Sequence, residues 1–201
     1  MNDRPVLLVH VQRRRRIQFN LSGIFPILPL GIAYLGAVLE IKGIPVRLLE
    51  MTLRDQRSSD VLEMLNPDIH FVGLSTTVFS LQEAVALSRE MKEKRPDVPV
   101  VLGGPATIFD SEVLSRRFPD VDVFVFEEGE PSIELLAESD FSTQSLSRIP
   151  GIAYRDGQSQ GELFRNCTTW VSRVCWSPRS RRSFSGPSGS ATDRVRSPVP
   201  C

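Results

Sequence analysis

The sequence predicts an α/β protein with a doubly wound sheet of five parallel strands, and three observations lead to this prediction. Segments with the pattern of a strand and of a helix alternate five times along the chain, as is typical of such sheets. The strand segments are short, nearly uninterrupted apolar runs, as expected for strands buried on both faces. Residues 67–107 have the pattern strand, helix, strand, a unit that closes with a right-handed connection. We therefore expect the flavodoxin-like strand order 2-1-3-4-5, with ligands bound beyond the carboxyl ends of the strands.

The central unit has the clearest pattern. A buried strand at 69–74 stops at three hydroxylated residues, 75–77. The following helix ends at Arg95, because the position before a proline disfavours the helical conformation. A second buried strand at 98–102 ends in the glycine pair 103–104. The helix presents an apolar stripe at helical spacing, formed by Leu81, Val85, Leu87 and Met91.

The segments before this unit supply the first two strands. Strands are predicted at 5–11 and 45–49, joined by a long connection, 12–29, and a helix at 30–41. Gly43 is placed to end that helix in a C-cap. A connection as long as 12–29 inside a compact domain is usually functional or disordered. The predicted apolar side of the helix consists of Leu30, Ala33, Tyr34, Ala37, Val38 and Ile41.

The remaining elements follow the same alternation. A short helix capped by Ser58 or Ser59 runs to Leu65, and another opens at Asp110 or Ser111 and runs to about Phe118. The predictions are completed by a fifth strand at 121–126, an acidic exit at 127–130, and a last helix at 131–137 that starts with a proline.

The chain changes character after residue 140, which we take as the end of the main domain. A strand at 149–155 and the turn pair Asp156-Gly157 begin a hairpin whose returning strand is not convincing, so 141–160 is predicted as a linker with an incomplete hairpin. Residues 161–201 are rich in Ser, Arg and Pro, and such composition cannot offset the entropy of ordering. We predict a disordered basic tail, either natural or translated out of frame, and favour the second origin.

Charge and cysteine content restrict the classes of partner. The formal net charge is zero, but the tail holds seven arginines and two acids, which leaves the first 160 residues at −5. No signal peptide and no apolar run of about 20 residues is present, so we expect a cytoplasmic protein without membrane or nucleic-acid partners. The three cysteines lie in the tail without the spacing of a metal or redox site, at Cys167, Cys175 and Cys201.

Several common ligands of doubly wound sheets lack their residues here. A dinucleotide site needs a glycine fingerprint after the first strand, where this chain has the arginines 13–16. A phosphate-binding loop with its lysine is also missing. A phospho-receiver would need acids after the first strand and an aspartate after the third, where Gln12 and Ser75 stand. The carboxyl edge instead offers small and hydroxylated residues, which suit a bulky ligand with a polar tail.

Six segments of the sequence together resemble a known family. The segments are PLGIAYLGAVLE at 29–40, GIPVRLLE at 43–50, PDIHFVGLS at 67–75, RPDVPVVLGGP at 95–105, EGE at 128–130 and IPGIAYRDG at 149–157. In this order and at these intervals they resemble the N-terminal cobalamin-binding domains of cobalamin-dependent radical SAM proteins, and the resemblance covers about residues 4–157.

This resemblance implies a cobalamin whose corrin lies over the carboxyl edge and whose nucleotide tail runs down into the sheet. The chain departs from the family where Glu127 replaces a usual glycine and Ala106 a frequent histidine. The tail groove would be lined by Ser75, Thr76, Thr77, Gly103, Gly104 and Pro105, and the corrin or its amides would be approached by Pro29, Leu30, Gly31, Gly129 and Glu130.

A possible cobalt-ligand motif is present at the wrong place. Asp68, His70 and Gly73 fit the Asp-x-His-x-x-Gly pattern that supplies an imidazole to cobalt in cobalamin mutases and methionine synthase. In those proteins the pattern follows the first strand, whereas here it enters the third strand at the amino edge. His10 is predicted to be packed inside the first strand. We therefore expect a base-off cobalamin without a histidine ligand from this chain.

The family's catalytic apparatus is not found in this sequence. The Cys-x-x-x-Cys-x-x-Cys triplet that holds an iron–sulfur cluster in the family's barrel domain has no match, so the cluster and SAM are expected only in a missing domain. The sequence predicts a cobalamin-binding fragment of a radical SAM methyltransferase or cyclase, without autonomous activity. The alternatives are a regulatory or interaction domain without cofactor and, remotely, an enzyme acting through Glu128 and Glu130.

Overall fold

A computed structural model describes residues 3–12, 29–51, 58–108, 114, 117–126 and 128–155, and the backbone of 163–165. Two short 3-10 helices, Val78–Ser80 and Pro105–Ile108, follow the third and fourth strands. The other elements are β1 (Val6–His10), α1 (Leu30–Ile41), β2 (Val46–Glu50), α2 (Ser58–Glu63), β3 (Val72–Ser75), α3 (Leu81–Lys94), β4 (Val100–Gly103), β5 (Val123–Val125), α4 (Gly129–Glu138), α5 (Thr143–Leu146), β6 (Ile152–Arg155) and β7 (Leu163–Arg165).

All these strands form one sheet in the order β2-β1-β3-β4-β5-β6-β7. The pairs among β1 to β5 are parallel, which confirms the predicted order 2-1-3-4-5. The predicted number of five strands is wrong, because β6 pairs antiparallel with β5 and continues the sheet. The short β7 pairs antiparallel with β6, so a returning strand of the hairpin is present. The sheet thus extends beyond the boundary predicted at residue 140.

Two apolar layers cover the sheet, one on each face. Alternate residues of a strand point to opposite faces. In β1, Leu7 and Val9 belong to the layer that α2 and α3 complete, and Val6 and Leu8 to the layer that α1 and α4 complete. We call the second side the α1/α4 face.

Helix α1 has the predicted bounds but buries a different side. Ile32, Gly36 and Leu39 face the sheet, whereas Leu30, Tyr34 and Ile41 are 74%, 64% and 83% exposed. The prediction of the buried side was wrong because Glu40 is the only charged residue of α1, so the apolar pattern cannot distinguish its sides. Packing decides instead: the absent side chain of Gly36 leaves room for Leu48, whose Cδ2 is 3.1 Å from where a Cβ would stand.

Two predicted helix ends agree with the structure, whereas α2 ends at Glu63 rather than Leu65 and the start of α4 also differs. Gly43, with φ of 72°, follows α1, and Arg95 is the C-cap of α3. Leu87 and Met91 of the predicted stripe on α3 are buried. Helix α4 begins at Gly129 rather than Pro131. The first turn of a helix tolerates glycine and proline. It also favours an acid such as Glu130, because the N-terminal end of the helix dipole is positive.

Several predicted segments lie outside the described residues. These are the connection at 13–28, the start of the helix predicted from Asp110 or Ser111, and the tail after 165. Within the ranges that are described, no helix combines the length and the apolar character needed to cross a bilayer.

One alanine substitution on each side of α1 tests which side is buried. Leu39→Ala removes a fully buried side chain, and we expect it to lower the free energy of unfolding by about 2–5 kcal/mol. Ile41→Ala removes an exposed side chain of the same size, and we expect a change within about 0.5 kcal/mol. Urea denaturation followed by circular dichroism measures both. An equally large loss for Ile41→Ala would show that this side is covered.

Candidate functional site

The last residues of four neighbouring strands form a row across the carboxyl edge of the sheet. Strand register places His10 opposite both Glu50 and Ser75, and Ser75 opposite Gly103. Each of the four is half-buried, although the residue before it in its strand is buried. We call Glu50, His10, Ser75 and Gly103 the edge row.

All members of the edge row lie on the α1/α4 face. His10 has the same parity as Val6 and Leu8, which pack in that layer. A Cβ on Gly73, two residues before Ser75, would meet Leu8 Cδ2 at 2.7 Å, and one on Gly103 would meet Val125 Cβ at 3.7 Å. On β2, the side chain of Leu48 contacts α1, so Glu50 lies on this face as well. The row is therefore one continuous strip that runs from the carboxylate of Glu50 to Gly103, which has no side chain.

The backbone beyond the row makes a tight junction between β3 and β4. Thr76 N–H donates to the Gly103 carbonyl at 3.0 Å, and Ala106 N–H donates to the Thr76 carbonyl at 3.3 Å. Gly104 has φ of 98°, and a Cβ there would lie 2.7 Å from the Thr76 oxygen. Only glycine fits this position without strain. Pro105 follows as an exposed residue at the rim.

Thr76 and Thr77 have different surroundings. Thr76 is fully buried, and its hydroxyl shares a hydrogen bond of 2.9 Å with Ser80 Oγ. Thr77 is half-buried and caps the 3-10 helix at 78–80, with its N–H donating to Ser80 Oγ at 3.1 Å. Thr76 therefore holds the turn in place, while the side of Thr77 remains partly open to solvent.

This hydrogen-bonded turn projects two apolar side chains that the sequence analysis missed. Val78 is 54% and Phe79 is 78% exposed, directly after the carboxyl end of β3. The signal that could have revealed them is an apolar pair in a position where a loop normally carries polar residues. A hydrogen-bonded turn thus presents a phenylalanine to water directly beyond the carboxyl end of β3.

The helix starts complete the edge. Pro29 is the N-cap of α1, Leu30 is exposed, and a Cβ on Gly31 would meet no atom of the described residues within 4 Å. At the start of α4, a Cβ on Gly129 would lie 3.0 Å from Leu35 Cδ2, so this glycine allows α4 to approach α1 closely. Glu130 is half-buried in the first turn. The arginines 13–16 and Glu127 lie outside the described residues.

The amino edge is closed by charged side chains. Arg4 Nη2 donates to the Ile69 carbonyl at 2.6 Å, and Asp122 Oδ2 accepts from Val100 N–H at 2.6 Å. Arg155 donates to the Val121 and Phe118 carbonyls, each at 2.9 Å. These bonds satisfy backbone groups near the starts of the strands. The two edges thus differ in kind, and the carboxyl edge has the small residues and the open rim.

The two histidines lie at opposite edges. His10 belongs to the edge row, and Gln12 Nε2 is 3.0 Å from its Nε2 atom. Burial lowers its pKa, while the neighbouring Glu50 acts to raise it. His10 is thus at an open edge, whereas the sequence analysis placed it inside the strand.

His70 lies before β3, where its backbone N–H donates to the Pro5 carbonyl at 2.9 Å, so the prediction that it lies at the amino edge is confirmed. Its ring contacts those of Phe71 and Phe141, with centroids 5.6 and 5.4 Å away. Burial, followed by the charge of Arg4, lowers the pKa of His70. Among the residues described, no three His, Cys, Asp or Glu side chains are grouped so that they could hold a metal ion.

Comparisons with known proteins point to one family. The family model of the B12 binding domain matches residues 25–137, which is more than half of the chain. An uncharacterized methyltransferase, PH0819, of Pyrococcus horikoshii is 29% identical over 131 residues, which are 64% of this chain and 28% of that protein. The 2-(S-pantetheinyl)-carbapenam-3-carboxylate methyltransferase of Streptantibioticus cattleyicolor is 34% identical over 46% of this chain and 13% of its own length.

Solved structures share the fold. The cobalamin-dependent S-adenosylmethionine radical enzyme OxsB, with aqua-cobalamin and S-adenosylmethionine bound, matches with a TM-score of 0.60 and 21% identity over 82% of this chain and 22% of its own. The radical S-adenosylmethionine methyltransferase TsrM from Kitasatospora setae matches with a TM-score of 0.59 and 19% identity over 82% of this chain and 30% of its own. The chain thus spans less than a third of the length of each of these relatives.

The lowered pKa values of the two histidines predict that the protein loses stability in mild acid. Because burial lowers both pKa values below the unfolded value of about 6.5, the unfolded chain binds more protons between pH 7 and 5. The free energy of unfolding should therefore fall as the pH falls through this range. We expect His70→Phe and His10→Gln each to reduce this dependence, as measured by urea denaturation at pH 5, 6 and 7. An unchanged slope in the double variant would contradict the assignment.

Proposed function

The chain belongs to the B12-binding domain family, and we propose that the carboxyl edge of its sheet binds a cobalamin in the base-off form. The observation that carries this proposal is the contrast between the two edges. The carboxyl edge combines a glycine junction, a half-buried polar row and an exposed phenylalanine, whereas backbone groups at the amino edge are bonded to Arg4, Asp122 and Arg155. Ligands of open α/β sheets bind at the carboxyl edge.

The residues present fit the nucleotide tail of a cobalamin. Gly103 has no side chain on the α1/α4 face at the end of β4, and among the described residues only Val125 lies near the place of a Cβ. Ser75 stands beside it in the row and offers a hydroxyl that donates and accepts. We propose that the tail passes between Ser75 and Gly103, and that the Thr77 and Pro105 turns form the mouth of this groove. Thr76 and Gly104 would position these turns without bonding the ligand through side chains.

The apolar turn fits the macrocycle. Val78 and Phe79 lie in the turn whose backbone Thr77 and Ser80 hold, and both side chains are exposed. A corrin is a wide ring with apolar faces, and its burial against these two side chains would be favourable because apolar surface is removed from water. Pro29, Leu30, Gly31, Gly129 and Glu130 would approach the rim of the ring from the starts of α1 and α4.

A histidine ligand to the cobalt is not part of the proposal. His70 lies at the amino edge between two phenylalanine rings, across the sheet from the proposed corrin site. The proposal is base-off binding, with the nucleotide in the sheet and no imidazole from this chain on the metal, and the position of His70 at the other edge supports it for that residue. A bound cobalamin would supply a cobalt centre for methyl-group transfer, and the chain's own residues would bind and orient it.

We further propose that this domain belongs to a longer radical SAM methyltransferase or cyclase. The relatives named above are three or more times as long as the matched segment, and several are methyltransferases. The iron–sulfur cluster and SAM would be held by the other part of such a protein. The exposed side of α1, with Leu30, Tyr34 and Ile41, suits burial against that part, because a helix that is apolar all round is normally covered.

A second candidate is an interaction domain without cofactor. The exposed side of α1 favours it, since a partner surface needs no ligand at the carboxyl edge. The two candidates differ in one property that can be measured, the retention of cobalamin by the chain.

Titration with hydroxocobalamin tests the first proposal. We expect one equivalent to remain with the protein through gel filtration, with the visible spectrum of a base-off cobalamin. His70→Ala should leave both stoichiometry and spectrum unchanged, because His70 lies at the other edge. A folded chain that retains no cobalamin would favour the interaction domain, and a spectrum that changes in His70→Ala would contradict the proposed orientation.

Two substitutions test the parts of the site separately. Gly103→Val places a side chain in the proposed tail groove, where its Cβ would lie in ordinary contact 3.7 Å from Val125 Cβ, so we expect a folded protein with at least tenfold weaker cobalamin binding. Phe79→Ala removes apolar contact area from the proposed corrin site, and we expect about tenfold weaker binding without loss of stability, since Phe79 is exposed. Arg89→Ala, on the exposed surface of α3, is the control. Equal affinity of all three variants would contradict this placement.

A further inference from the structure

One side of α1 points away from the sheet and presents an apolar surface to water. Its members recur at positions 30, 34, 37 and 41, which the helical repeat places within about 60° of one another around the axis. The buried side of the helix, which contains Gly36, lies opposite. All four members are exposed. We call them the outer stripe, and they are Leu30, Tyr34, Ala37 and Ile41.

The outer stripe has the spacing of a surface that pairs with another helix. Steps of four, three and four residues are those of the contact positions in a coiled coil. A single exposed leucine needs no explanation, whereas a row of large apolar side chains on one side of a helix does. The occupant that this spacing fits is a second helix.

The order of the side chains favours a second copy of α1 as that helix. The spacing reads the same in both directions, so two antiparallel copies align all four members of the stripe. In this alignment Leu30 of each copy is level with Ile41 of the other, and Tyr34 is level with Ala37. Each tyrosine ring thus lies beside a methyl group, and such alternation of large and small side chains allows close packing. A parallel pair would instead place ring against ring and methyl against methyl.

The charges at the two ends of α1 are compatible with the same alignment. Glu40 is level with Gly31 of the other copy, in the first turn of its helix. That turn contains no acid, and Pro29 makes no side-chain cap. A carboxylate at this level is therefore favourable, because the N-terminal end of a helix carries a partial positive charge. Lys42, whose charge would be unfavourable there, is paired with Glu134 of its own chain.

We propose that two copies of this chain pair through their outer stripes, with the α1 helices antiparallel about a twofold axis. The axis crosses both helices at the level between residues 35 and 36, halfway along the stripe. A contact of this kind uses the same surface on both copies and closes at two. The pairing does not depend on cobalamin. In a longer protein, the other part competes with the second copy for this side of α1.

The contact is small, so the dimer is weak. Helix α1 has 12 residues, and two helices of this length bury less than the roughly 800 Å² per partner of a stable complex. We therefore expect a dissociation constant on the order of 100 µM. A pair of this strength forms at high protein concentration and separates on dilution.

Sedimentation equilibrium of the full chain without cobalamin tests the pairing, at about 10 to 500 µM protein, a range that spans the expected dissociation constant. We expect an equilibrium between monomer and dimer. Tyr34→Ala should weaken the dimer at least tenfold, because two ring contacts are lost. Ala37→Tyr should also weaken it at least tenfold, because ring would meet ring, although this variant exposes more apolar surface. Arg89→Ala, on the exposed surface of α3, is the control.

The double variant that combines Tyr34→Ala with Ala37→Tyr gives the sharper result. It exchanges ring and methyl, so each ring is again level with a methyl group, and we expect the dissociation constant of the wild-type chain to within about threefold. Circular dichroism confirms that each variant is folded.

Three results would overturn the proposal. The first is a wild-type chain that stays monomeric up to about 500 µM or forms assemblies larger than a dimer. The second is an association that Ala37→Tyr strengthens, as non-specific apolar contact would. The third is a double variant that does not recover the dimer. Because no cobalamin is present, each of these results is independent of the proposed function.

Discussion

The parallel register of β2, β1, β3 and β4 is the constraint on which the site depends. Because these strands end at the same level, Glu50, His10, Ser75 and Gly103 come together although they are far apart in the chain. Backbone pairing fixes this arrangement, and a slip of one residue in any strand would turn its member to the other face. The site is therefore as stable as the sheet, and it needs no loop to bring its members together.

The two edges of the sheet divide structural and binding roles between them. At the amino edge, long charged side chains satisfy the backbone: Arg4 bonds the segment before β3, Asp122 bonds β4 and also pairs with Lys92, and Arg155 bonds the segment before β5. At the carboxyl edge, glycines and hydroxyls make short backbone junctions and leave space. This division explains why His70, in spite of its motif, is held between aromatic rings rather than at an open surface.

The sequence predicted the fold well because its apolar runs are strong signals of buried strands, and the bounds of α1 followed from Pro29 and Gly43. The buried side of α1 could not be predicted, since a helix with apolar residues all round carries no preference in its pattern. Two members of the edge row were missed for a related reason. His10 and Glu50 are single polar residues at strand ends, and only the register shows that they are neighbours. Phe79 was missed because it is one of only two apolar residues between the predicted strand and helix, and only the Thr77–Ser80 hydrogen bonds show that it lies in a turn.

The central claim is that cobalamin occupies the carboxyl edge of this sheet, and hydrogen–deuterium exchange with and without hydroxocobalamin tests it most directly. The account predicts slower exchange in the segments that follow β3 and β4, at 77–81 and 104–107, and unchanged exchange at 65–71 before β3. Protection confined to the amino edge, or no protection in a chain that retains cobalamin, would contradict it.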